Sequence, residues 1–154
     1  MAKTKFLIIG LVIIMLFTFL SGCTNNKYNA KLYDNAIEWI NVDFANNNQV
    51  GNLSFSNRTF IIDSQEKYDQ VFINNTDELE FDFNNQMLVV YTFITIYHRK
   101  NYIKNIDVKN SILKITYKME KKPGVGDASQ PYQRWFVVKL DKLDVNSVVF
   151  EEKL

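Results

Sequence analysis

The sequence predicts an α+β fold, mostly antiparallel β-sheet with one or two short helices, and three observations carry that prediction. The run from Met87 to Tyr97 is apolar on both faces, the mark of a central strand covered on both sides. Leu113, Ile115, Tyr117 and Met119 alternate with Lys114, Thr116, Lys118 and Glu120, the period-two pattern of a half-buried strand. Helical spacing is confined to short stretches that precede a series of consecutive strands, the order expected of an α+β chain.

At the amino terminus, Lys3 and Lys5 form a short positive region ahead of the fifteen residues from Phe6 to Leu20, interrupted only by Gly10 and Thr18. A cationic start followed by an apolar run is the pattern of an export signal. Fifteen residues rising about 1.5 Å each make a helix of roughly 22 Å, short of the ~30 Å hydrocarbon core, so a permanent span is the weaker reading. Leu20, Ser21, Gly22 and Cys23 then match the lipobox of bacterial lipoproteins, in which small residues fit the signal peptidase cleft and the thiol accepts a diacylglyceryl group. The expectation is that residues 1–22 form a signal peptide and that Cys23 is acylated, anchoring the chain to the outer face of the bacterial cell membrane. Two acyl chains suffice for stable anchoring, at ~0.8 kcal/mol per buried methylene. Cys23 is the only cysteine, so no internal disulfide is expected; an unmodified thiol behind an uncleaved anchor is the plainer alternative. Residues 23–31 read as the lipidated cysteine and a polar tether, with Thr24, Asn25, Asn26, Lys27, Tyr28 and Asn29 holding a domain off the headgroups. Residues 32–154 remain as a single β-rich domain.

Within it, Leu32, Ala36, Ile37, Trp39 and Ile40 fit one helical face, and a strand in the second half of Leu32 to Ala45 fits as well. Asn46 to Asn52 is a polar loop. Arg58 to Ile62 is a short strand, and Asp63 with Glu66 has capping-box spacing for a helix carrying Tyr68, Val71 and Phe72 and ending near Asn74 and Asn75. Glu78 to Phe83 alternates acidic and apolar side chains as a half-exposed strand or lead-in to the Met87 run. Tyr102 to Val108 is the next strand, turned back at Lys109 and Asn110. After a loop from Lys121 to Pro131, Tyr132 to Leu140 and Ser147 to Glu151 complete the set.

Composition narrows the function. Without residues 1–22 the chain has 16 basic side chains against 17 acidic ones. Near-neutrality argues against nucleic-acid binding, which needs a dense cationic face, and against electrostatic adhesion to anionic lipid. Twelve Phe and eight Tyr supply enough apolar surface for a core without staples. Asn52, Asn57 and Asn74 begin glycosylation-type triplets, read here as accidents of an Asn-rich composition.

His98 is the only histidine, so neither a His-rich metal site nor a Ser-His or Cys-His pair can be assembled within the chain. No catalytic residue, metal or cofactor is expected. With Tyr97, Arg99 and Tyr102, His98 reads as an exposed strand end, or as a partner-binding tip combining aromatic and cationic groups. Glu78, Glu80 and Asp82 share one face of a strand, a solvated face in the simpler reading and a cation site in the sharper one, but no calcium-loop pattern accompanies them. Pro123 to Asp127 could offer backbone amides to an anion, yet lacks the spacing of a phosphate-binding loop. Tyr132 and Arg134 complete the candidate partner surface with Asp127; Arg134 either covers aromatic surface with its stem, the favoured reading, or forks onto a carboxylate. The expected role is a non-catalytic binding or accessory domain, with a hydrolase using carboxylates such as Asp82 and Asp127 as the enzymatic alternative.

From Arg58 to Lys153 the chain resembles the PrcB-like family, named for a protease-complex subunit. The similar elements are a helix leading to Phe81, Asp82 and Phe83, the strand Met87 to Tyr91, then Pro123, Gly124 and Gly126, with Pro131 and Tyr132 opening a strand through Val138. Many members carry a Thr-Gly-Gly-Tyr turn after the central strand, where this sequence has Tyr97, His98, Arg99, Lys100, Asn101 and Tyr102. The resemblance implies a small β-rich domain that associates with, stabilises or inhibits a secreted protease, and it supplies no catalytic residues.

Overall fold

In the computed structural model, which describes residues 27–34, 39–41, 57–73, 81–120 and 128–153, a 3-10 turn (Lys27–Asn29) leads into β1 (Lys31–Asp34). β2 (Arg58–Ile62), α1 (Gln65–Val71), β3 (Gln86–Thr95), β4 (Asn101–Lys109), β5 (Ile112–Met119), β6 (Tyr132–Asp141) and β7 (Ser147–Glu152) follow. The expected α+β class, mostly antiparallel β, is what the chain adopts. Sheet one has the order β1-β6-β3-β2 and is antiparallel throughout; sheet two has the order β4-β5-β7.

Both apolar faces of β3 are used, for a reason that follows from strand alternation. Met87, Val89, Tyr91 and Phe93 point to one side, where with Phe136, Val138 and Leu140 of β6 they meet Leu113, Ile115, Tyr117 and Met119 of sheet two. Leu88 and Val90 point to the other, where with Trp135 and Val137 they pack against Val71 and Phe72 of the α1 region and against Ile40. Sheet one is therefore the middle of three layers. At ~1.5–3 kcal/mol for each large apolar side chain taken out of water, these two clusters supply the main driving force for folding.

Several elements differ from the sequence reading. Leu32 to Asp34 forms an edge strand rather than a helical face, because β6 offers it a free edge; alternation sends Leu32 to one cluster and Tyr33 to the other. The helix is capped by Ser64, whose Oγ accepts from the Lys67 backbone N–H at 3.4 Å, while Asp63 pairs with the Lys67 ammonium at 2.8 Å. It stops at Val71, before Asn74, because Phe72 turns extended to bridge Ile40, with Asn41 N–H donating to the Val71 carbonyl and Ile73 N–H to that of Trp39. β7 pairs parallel to β5, an exception to the antiparallel pattern.

The region read as tether is also partly folded. Tyr28 packs against the core between the sheets, the Lys27 ammonium meets Asp107 at 3.1 Å, and the Asn29 amide donates to both Asp141 oxygens at 3.1 and 2.9 Å. Among the described residues, packing onto the domain is already present at Lys27, ahead of the expected Leu32. Cys23 and the apolar run before it lie outside the described residues. Among the described residues no helix is long and apolar enough to cross a membrane.

Candidate functional site

The strands give the sandwich two ends. One is the β4–β5 hairpin end, where β3 starts and β6 finishes; the other is the crossover end, where residues 96–100 carry the chain from β3 in sheet one to β4 in sheet two.

Most of the predicted partner residues gather at the crossover end, and Arg134 organises them. Its side chain is 4% exposed; Nη1 donates to the Tyr97 carbonyl at 3.2 Å and to the Arg99 carbonyl, and Nη2 meets Asp34 Oδ1 at 2.9 Å. The Asp34 carboxylate also accepts the Asn101 backbone N–H at 3.0 Å and its side-chain amide at 3.1 Å. Arg134 thus meets a carboxylate through Nη2 while Nη1 serves two carbonyls, and its guanidinium also lies over the aromatic ring of Phe93 at 5.7 Å. Asp34 was missed because it belongs to the stretch read as helical, 100 positions from its partner.

The Tyr132 hydroxyl donates to the Tyr97 carbonyl at 3.0 Å and lies 2.8 Å from His98 Nδ1, with the two rings stacked at 4.6 Å. The Arg99 guanidinium covers the Tyr97 ring at 4.4 Å. Thr95 Oγ1 accepts the Tyr97 N–H at 3.0 Å. Residues 97–101 are strapped down rather than projecting. Tyr102 stands apart, exposed on the outer face of sheet two opposite Lys118, while Asp127 lies outside the described residues.

Beside this strap, the ends of the two sheets part to leave a cleft of about 380 Å³, lined by Phe93, Tyr97, Tyr117, Met119, Pro131 and Glu152. Its floor is apolar, and Glu152 places a carboxylate at the rim. Tyr117 of this lining and Tyr91 hydrogen-bond to each other, and burial raises both phenols, Tyr117 well above the usual tyrosine range. Of these, Tyr97 was singled out from the sequence as a partner-binding residue, whereas Phe93, Tyr117 and Met119 were legible only as core, since the cleft arises where strands end and not from any sequence motif.

The carboxylates considered for catalysis or cation binding are placed only in part. Asp82 is exposed and closes its own turn, accepting the Asn84 N–H at 2.9 Å and the Asn85 amide at 2.7 Å, which hold its carboxyl below the usual range. Glu78 and Glu80 lie outside the described residues, and among those described no group of three metal-ligating side chains forms. Comparison with known proteins finds no matching family model, curated protein or solved structure.

Proposed function

We propose that this chain is a lipid-anchored extracytoplasmic protein whose domain acts without catalysis as a binding or accessory module at the outer face of a bacterial cell membrane. The observation that carries the reading is the tetrad Leu20, Ser21, Gly22 and Cys23 directly behind the apolar run, because it sets the only cysteine of the chain where an acyltransferase and a signal peptidase require it. The crossover end supports the binding half. Its cleft falls within the roughly 300–1,000 Å³ of ligand sites and joins an apolar floor to one carboxylate, which suits an apolar side chain flanked by a cation on an extended protein segment. Arg134 and Tyr132 fix its edge in advance, lowering the ordering cost of association.

The PrcB-like resemblance would make that partner a secreted protease. A loop suited to insertion into a protease groove was expected at Tyr97 to Asn101 or at Lys121 to Gln130; residues 97–101 are strapped down, and residues 121–127 lie outside the described residues.

Mass spectrometry of the native amino terminus tests the anchor: a diacylated Cys23 is expected, and an unmodified, uncleaved chain defeats it. Cross-linking in intact cell envelopes tests the binding role. A protein partner captured by the wild type and lost with Tyr97→Ala or Glu152→Lys is expected; capture unaffected by both would reject the cleft as its seat.

A further inference from the structure

Resting on the acylation of Cys23 proposed above, the folded amino-terminal turn fixes how the domain meets the bilayer. Lys27, already clasped to Asp107, lies four residues after Cys23. Four residues span at most about 14 Å even when fully extended. The clasp at Asp107 is near the hairpin end, and the stretch of β4 from there back to Asn101, rising about 3.3 Å per residue, sets the crossover end roughly 20 Å further off. A leash shorter than the body it holds keeps one end of that body at the interface.

That end is built for the position. Val108 and Ile112 are 37% and 40% exposed, large apolar side chains at the hairpin, and they line a shallow depression of about 650 Å³ with Lys109 and Lys114. The Lys114 ammonium is held by Glu151 at 2.8 Å, which leaves exposed Lys109, a long apolar stem with a cationic head, as the side chain suited to the boundary between acyl chains and phosphates. Two carboxylates at this end, Asp107 and Asp141, are engaged by Lys27 and Asn29. We propose that the hairpin end, centred on Val108, Lys109 and Ile112, is a membrane-resting surface that seats on lipid headgroups and turns the crossover end away from the bilayer.

Because Cys23 is the only cysteine and its thiol is acylated, one introduced cysteine becomes a unique labelling site. The full lipidated chain carrying Ile112→Cys, Lys109→Cys or Lys100→Cys is labelled with a fluorophore and reconstituted in phosphatidylethanolamine and phosphatidylglycerol vesicles containing lipid with a headgroup-level quencher. Quenching severalfold stronger at positions 112 and 109 than at 100 is expected. Equal quenching at all three in vesicle-bound protein overturns the resting surface and leaves the anchor intact. Protein absent from the vesicles, with Cys23 of unmodified mass, overturns both.

Discussion

Arg134 ties two strands and a crossover together through one guanidinium, and its burial makes its partners costly to remove. Breaking such a pair from one side leaves an uncompensated charge, so Arg134→Ala is expected to lower stability by ~3–5 kcal/mol in urea denaturation. Joint replacement by Asp34→Leu and Arg134→Met should cost less than the sum of the single changes, and additive losses would show that the two do not act as a pair. Tyr117 gives a second test, read through pH. Its folded pKa is raised above the ordinary 10.0 by burial, so its contribution is complete below about pH 10 and declines as pH rises beyond that value. Tyr117→Phe is expected to flatten the loss of stability between pH 9 and 11, and an unchanged alkaline slope would exclude Tyr117 as its source. At this scale the sequence singled out Tyr97, His98, Arg99, Tyr132 and Arg134, which the fold brings to one end. It could not supply Asp34 or Glu152, whose proximity is created by pairing between distant strands.

At the level of elements, periodicity was a good guide wherever one layer decided the pattern. β5 alternates because one of its faces is wet, and β3 does not because both are covered. Four-residue β1 and the parallel placement of β7 were illegible for the opposite reason: neither has a local signature, and each is held by the free edge of a remote strand. The β4–β5 turn was read from Lys109 and Asn110, and its backbone explains the choice. Asn110 and Ser111 both have positive φ, at 52° and 58°, as a two-residue hairpin of the primed type demands. Serine pays a steric cost there that glycine does not, partly offset by the greater freedom of glycine in the unfolded chain. Ser111→Gly is therefore expected to stabilise the domain by about 0.5–1 kcal/mol, seen as a higher urea midpoint; a lower midpoint would contradict this account of the turn.

For the molecule as a whole, three layers with sheet one in the middle predict where opening is hardest. Val89, Val90, Val137 and Val138 are fully buried on strands flanked on both edges, so their amides should be the slowest to exchange with deuterium, with β1 and β7 exchanging sooner. Faster exchange in β3 and β6 than in β1 would place the stable nucleus elsewhere. The pairing of β1 with β6 carries a further consequence. Partners separated by 100 positions cannot meet while the chain is still being delivered amino end first, whether from a ribosome or through a translocation pore. Until β6 arrives, β1 is a single ribbon and β3 has a bare edge. Vectorial emergence therefore postpones closure of the central layer until nearly the entire polypeptide has come through.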